Sequence, residues 1–269
     1  MLQTPSRAPT ATTNKVRLGM LTPSSNTMVE PVTTAMLAQL PAVTAHFSRF
    51  RVTQIAASTA SDQQFDEPEI LRAAELLSHA KADVIAWNGT SAAWLGFDRD
   101  ERLCASLTDK IGVPACTSVL AFREIFERTG ARRIGLITPY DDAVQKMIVQ
   151  NWAKIGLDCS AERHLGLNDN FAFAAVAADE IAPMARGLAS ENVDAIAIVC
   201  TNIGAAPIVE QLEAELGIPV YDSVAVTLWK CLLLTGVPPV SVRGWGRLFT
   251  DPQLSSVGAG VRGGLGADA

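Results

Sequence analysis

Short β-rich runs alternate with amphipathic helical runs along this chain, and that alternation leaves few folds open. "VRLGMLT" (16–22) reads as a first strand. "NTMVEPVTTAMLAQL" (26–40) has helical apolar spacing, with Pro31 near the helix start, where proline is tolerated. "VTAHFSRFRV" (43–52) reads as a second strand. "DEPEILRAAELLSHAKA" (66–82) reads as a helix whose first-turn acids suit its dipole. "DVIAWN" (83–88), "RRIGLITP" (132–139), "DCSAERH" (158–164) and "VDAIAIVC" (193–200) are further strands. "YDDAVQKMIVQNWAKIG" (140–156) is a helix capped by Asp141 or Asp142 and closed by Gly156. Repeated β-α-β units predict an α/β fold of parallel sheets covered by helices.

The two halves of the chain echo each other. "GMLTP" (19–23) matches "GLITP" (135–139), "GTS" (89–91) matches "CTN" (200–202), and "IGVPACTSV" (111–119) matches "LGIPVYDSV" (216–224). The matches fall in one order, as expected of a duplicated lobe. The expectation is two pseudo-symmetric doubly wound, Rossmann-like lobes with a cleft between them. Residues 1–15 read as a flexible polar tail, 16–119 with about 224–269 as the first lobe, and 120–223 as the second.

Ligands of open α/β sheets bind outside the carboxyl ends of the strands. Here those ends are "TPSSNT", "WNGTS", "TPYDD" and "VCTN", all rich in hydroxyls, amides and backbone donors. None is a G-x-G-x-x-G or a phosphate-binding loop, which argues against a dinucleotide or nucleoside triphosphate. No G-x-S-x-G supports a hydrolase elbow. A net charge of -6 without a basic block argues against nucleic acid. No long uncharged apolar run argues for a membrane span, and residues 1–15 lack the apolar core of a secretory signal. The five cysteines include no C-x-x-C pair, which fits reduced thiols in a cytoplasmic protein and no structural zinc. His46, His79 and His164 lack metal-ligand spacing, so no metal is expected.

Among the cysteines, Cys200 stands apart, closing an apolar strand before Thr201, Asn202 and Gly204. It reads either as a thiol near backbone N–H groups at a helix start, where a thiolate is favoured, or as a small buried hydrophobe. Cys104, Cys116, Cys159 and Cys231 read as packing residues in helices or strand interiors. Ser24, Ser25 and Asn26 offer hydroxyls and an amide at a helix start, a carboxylate cradle or a plain N-cap. Thr90 and Ser91 follow Gly89, which lets backbone approach a ligand. The Tyr140 phenol either points into the cleft or stacks on its rim, and Asn170 either donates to a ligand or caps a helix.

Taken in order, "LTPSSNT", "GTS", "TPY", "NDN", "VCTN" and "GWGRLF" (244–249) resemble the maleate cis-trans isomerase and arylmalonate decarboxylase branch of the aspartate/glutamate racemase superfamily. The resemblance implies a small carboxylate bound between two lobes and no cofactor. It leaves monomer or homo-oligomer open. Racemases and maleate isomerases of this kind carry one cysteine per lobe; here Gly89 takes the first-lobe position and Cys200 the second. Arylmalonate decarboxylase is similar in having a "GTS" and a single second-lobe cysteine. The resemblance then implies that hydroxyl and amide donors such as Thr90, Ser91 and Tyr140 hold an enediolate while Cys200 protonates carbon. The backbone N–H of Thr201 is expected to point inward. "PSSN" and Asn170 instead resemble the maleate isomerase pattern. Decarboxylation of a substituted malonate therefore ranks first, isomerase or racemase chemistry on a C4 dicarboxylate second, and carboxylate binding without catalysis third. On this reading a cysteine placed at 89 restores the second thiol.

Overall fold

The computed structural model describes residues 15–256. The expected tail lies outside them except for Lys15, as do residues 257–269 of the expected first lobe. Among the described residues, eight strands form two four-stranded, wholly parallel sheets. The first contains β1 (Val16–Pro23), β2 (Val43–Phe50), β3 (Val84–Trp87) and β4 (Ala115–Thr117), in spatial order β2-β1-β3-β4. The second contains β5 (Ile134–Thr138), β6 (Glu162–His164), β7 (Ala195–Ile198) and β8 (Val220–Asp222), in order β6-β5-β7-β8. The orders are the same, so the repeated motifs of the sequence are a repeated lobe. The central strands β3, β5 and β7 are buried at every residue, as strands covered on both faces must be.

Helices connect these strands. In the first lobe they are α1 (Val29–Leu37), α2 (Thr59–Asp62), α3 (Glu67–His79), α4 (Ala92–Leu95) and α5 (Phe97–Ile111). Then come α6 (Ser118–Thr129), α7 (Asp142–Ala153), α8 (Ala178–Ala189), α9 (Val209–Leu216) and α10 (Ser223–Leu234). Their starts follow from side-chain capping. The Asp141 carboxylate accepts from the N–H of Val144 at α7. Thr117 caps α6 through the N–H of Leu120, and Asp222, at the corresponding place in the second lobe, caps α10 through Val224 and Ala225. Pro31 sits in the first turn of α1, where no N–H is missed. The α10 sequence "SVAVTLWKCLLL" is apolar almost all round, and the helix is a core element packed on β3, β4, β8, α1 and α6. Each of its buried leucines contributes roughly 1.5–3 kcal/mol.

Three local expectations change. The second strand ends at Phe50, and residues 51–58 leave the sheet toward the other lobe. Asp158 makes only an isolated bridge to Arg133, so Cys159 lies in a buried loop rather than inside a strand. The chain after Cys200 turns through residues 201–204 and becomes helical only near Ala206, so the thiol is not at a helix start.

Candidate active site

The carboxyl ends of the two sheets face each other, and backbone pairing fixes which residues correspond. Asn88 N–H donates to the Leu21 carbonyl in one lobe (3.0 Å), and Val199 N–H donates to the Ile137 carbonyl in the other (2.8 Å). The residues that follow, Gly89 and Cys200, therefore occupy equivalent places. Between them lies a cavity of about 20 Å³. Gly89, Thr90, Ser91, Tyr140, Asn170, Cys200 and Thr201 all line it, and none of its lining residues carries a charge. Val52, Ile55, Phe65 and Trp94 supply apolar walls that sequence patterning did not single out, because they reach the site only through the tertiary fold.

Ser25 and Asn26 stand one layer behind this wall. The Ser25 hydroxyl donates to the Val52 carbonyl (2.6 Å) and accepts from Asn170 Nδ2 (2.7 Å). Asn26 Oδ1 accepts from the N–H groups of Met28 and Val29, while its Nδ2 donates to Thr201 Oγ1 (3.1 Å). Asn26 thus serves as a turn cap and as a bond between lobes. The Thr201 hydroxyl in turn donates to the Asn88 carbonyl (3.0 Å). Asn202, the counterpart of Ser91 in the repeated motif, is fully buried. Its Oδ1 accepts from Thr27 N–H (2.9 Å) and its Nδ2 donates to the Asn170 carbonyl (2.5 Å). These buried side chains hold one another's orientation, so the cavity-lining groups need little reorganisation.

Segment 53–55 closes one side. Gln54 forms an antiparallel bridge with Asp169. Ile55 N–H donates to Asn168 (2.9 Å), and Asn170 N–H donates to Thr53 (3.1 Å). At about 20 Å³ the cavity holds little more than one water. A carboxylate ligand requires this segment to move.

Tyr140 is buried, edge-on to Trp94 and Phe173, and its hydroxyl lies 2.7 Å from Thr90 Oγ1. Burial, and then the electrostatic interaction with neighbouring Cys200, which a thiolate there would exert, raises the phenol well above its usual range. Burial likewise pushes the Cys200 thiol up to about 12, although the Asn202 N–H and the Tyr140 hydroxyl draw it down. The N–H of Asn202 reaches the sulfur at 3.4 Å. Of the two readings of Cys200, the buried thiol that keeps its proton at physiological pH is favoured, because desolvation outweighs the donors that face it. A neutral thiol and a neutral phenol are proton donors, suited to an anion that forms during reaction.

Residues 18–249 match the model of a family described as arylmalonate decarboxylase. A maleate isomerase of Pseudomonas putida is 29% identical over 252 residues, spanning 88% of this chain and 98% of that protein. An arylmalonate decarboxylase of Bordetella bronchiseptica is 28% identical over 184 residues, spanning 66% and 75% respectively. Among solved structures, a mutant of the Nocardia farcinica maleate cis-trans isomerase with a covalently bound succinylcysteine intermediate aligns with a TM-score of 0.80 at 25% identity, covering 87% of this chain and 98% of that one.

Proposed function

The chain belongs to the arylmalonate decarboxylase family, and from that membership we propose that it decarboxylates a substituted malonate, with Cys200 delivering a proton to the resulting carbanion. The observation that carries this reading is that Cys200 is, among the described residues, the one thiol lining the cavity, set opposite a glycine at the equivalent position of the other lobe. The bond from the α carbon to one carboxylate breaks, CO2 leaves, and the electron pair spreads into the remaining carboxylate as an enediolate. Hydrogen-bond donors at Thr90, Ser91 and Tyr140 stabilise that charge. The uncharged, apolar surroundings disfavour the carboxylate that departs. The Cys200 S–H proton then moves to the α carbon, and the thiolate regains a proton from water. No step in this sequence calls for a metal or redox group.

A second reading is cis-trans isomerisation of a C4 dicarboxylate, the activity that names the maleate isomerase relatives. The observation in its favour is the polar Ser25–Asn170 pair beside the cavity. It calls for a first-lobe thiol to add to the double bond, and Gly89 stands at that position. The test is incubation with 2-substituted malonates and with maleate in deuterated water, followed by NMR. Loss of CO2 with one deuterium at the α carbon supports the proposal. Fumarate from maleate supports the second reading, and tight binding without exchange at any carbon supports carboxylate binding alone.

A further inference from the structure

Gly89 is not a glycine for conformational reasons, since its backbone is not left-handed. It is one because of what stands beside it. A Cβ built on Gly89 falls 2.0 Å from Trp87 Cζ2, 2.4 Å from Cε2 and 2.5 Å from Cη2. Side chains essentially never approach closer than 3.0 Å at Cβ. Trp87 ends β3, pairs with Leu21 on one side and Thr117 on the other, and is 1% exposed. Its ring centroid lies 4.9 Å from that of Phe50 and 6.3 Å from that of Phe65. The indole is thus held by its own lobe in the space where any side chain at position 89 would begin.

We propose that Trp87 is a specificity-determining residue that confines the site to one-thiol chemistry, its indole filling the volume that a first-lobe thiol needs. The proposal rests on the reading of Cys200 as the acting thiol. Its consequence is that the single-thiol state is written at two positions, 87 and 89. A cysteine at 89 alone, which the sequence suggested as restoring a second thiol, has no room for its Cβ. Packed interiors resist such insertions because neighbours must leave their rotamers.

Two measurements test this. The first needs no substrate: a melting-temperature cycle over Gly89→Ala, Trp87→Val and the double variant. Gly89→Ala is expected to lower Tm by roughly 3–10 °C, and the same change in the Trp87→Val background to cost little or nothing; Trp87→Phe replaces Trp87→Val if the latter does not fold. The second follows α-proton exchange and racemisation of enantiopure 2-phenylpropionate in deuterated water. Gly89→Cys/Trp87→Val is expected to racemise at least about tenfold faster than wild type or either single variant, a difference of about 1.4 kcal/mol in barrier. Equal Tm for Gly89→Ala and wild type overturns the proposal. So does racemisation by Gly89→Cys alone at the rate of the double variant, with the indole swung into the neighbouring cleft of about 270 Å³ lined by Phe65, Ser91 and Asp100. If the Tm cycle shows coupling while no malonate is decarboxylated, the decarboxylase reading fails and the packing assignment stands.

Discussion

Three donors act on Cys200, the Asn202 N–H, the Tyr140 hydroxyl and the Ile203 N–H, yet burial still pushes its thiol up to about 12 because the sulfur has lost its contact with water. A group in that state gives up a proton only to a strong base, such as a carbanion formed beside it. Cys200→Ala should therefore lower kcat by roughly 10²–10⁴-fold while shifting Tm by no more than about 3 °C; thermal melts alongside turnover check both. Alkylation at Cys200, followed by mass spectrometry, should be slow at pH 7 and keep rising as pH climbs beyond 10, because the thiolate fraction grows up to the thiol's own pKa. A reaction rate that levels off near pH 8 contradicts the buried-thiol account. Tyr140→Phe removes the hydroxyl that pairs with Thr90 and keeps the aromatic packing against Trp94 and Phe173. It should cost roughly 10²-fold in kcat with KM little changed, since the donor acts on charge that appears only during reaction.

At the scale of elements, the cavity is closed by a first-lobe segment hydrogen-bonded to a second-lobe loop through Thr53, Ile55, Asn168 and Asn170. A carboxylate has no room beside the closed segment, so a bound malonate should keep those bonds open. The amides of Ile55 and Asn170 should thus exchange with deuterated solvent faster when a malonate is bound; unchanged exchange at both contradicts the displacement. The sequence foreshadowed much of this architecture. Strand ends such as "VCTN" and "WNGTS" announced themselves because strands and helices differ in local periodicity. The repeats "GMLTP" and "GLITP" marked the central strands of both lobes. What it concealed depends on distance through space. Val52, Ile55 and Phe65 gave no local sign of lining a site, and Trp87 read simply as the end of a buried strand. Asn26 was legible as a cap or a ligand group; only the fold shows its amide committed to Thr201. The turn after Cys200 also eluded pattern reading, since "TNIGAAP" lacks a strong cap and helix onset shifts easily by several residues.

In the molecule as a whole, the two lobes repeat a topology but not a chemistry. One lobe places glycine beside a threonine cap, and the other places Cys200 two residues past the end of β7, whose Ile198 pairs with Asp222. Burial pushes the Asp222 carboxyl up to about 7, against the N–H groups of Ala225 and Val224. Asp100 is pushed up to about 7 by burial, against a Thr117 hydrogen bond. Between about pH 4 and pH 7 the folded state therefore binds more protons at these groups than the unfolded chain does. Their contribution to stability is fully present below pH 4 and is lost as pH rises through 7, at most on the order of a few kcal/mol per group. Denaturant melts should show Asp100→Asn and Asp222→Asn flattening that decline, and an unchanged slope contradicts the assigned burial. On the proposed mechanism the asymmetry between lobes has a stereochemical consequence: protons should reach the carbanion from one side only. The most direct measurement is decarboxylation of 2-methyl-2-phenylmalonate in deuterated water, with the enantiomeric composition of the product read by chiral chromatography. The account predicts a single enantiomer of α-deuterated 2-phenylpropionate, and none from Cys200→Ala; a racemic product, or an undiminished rate in Cys200→Ala, contradicts it.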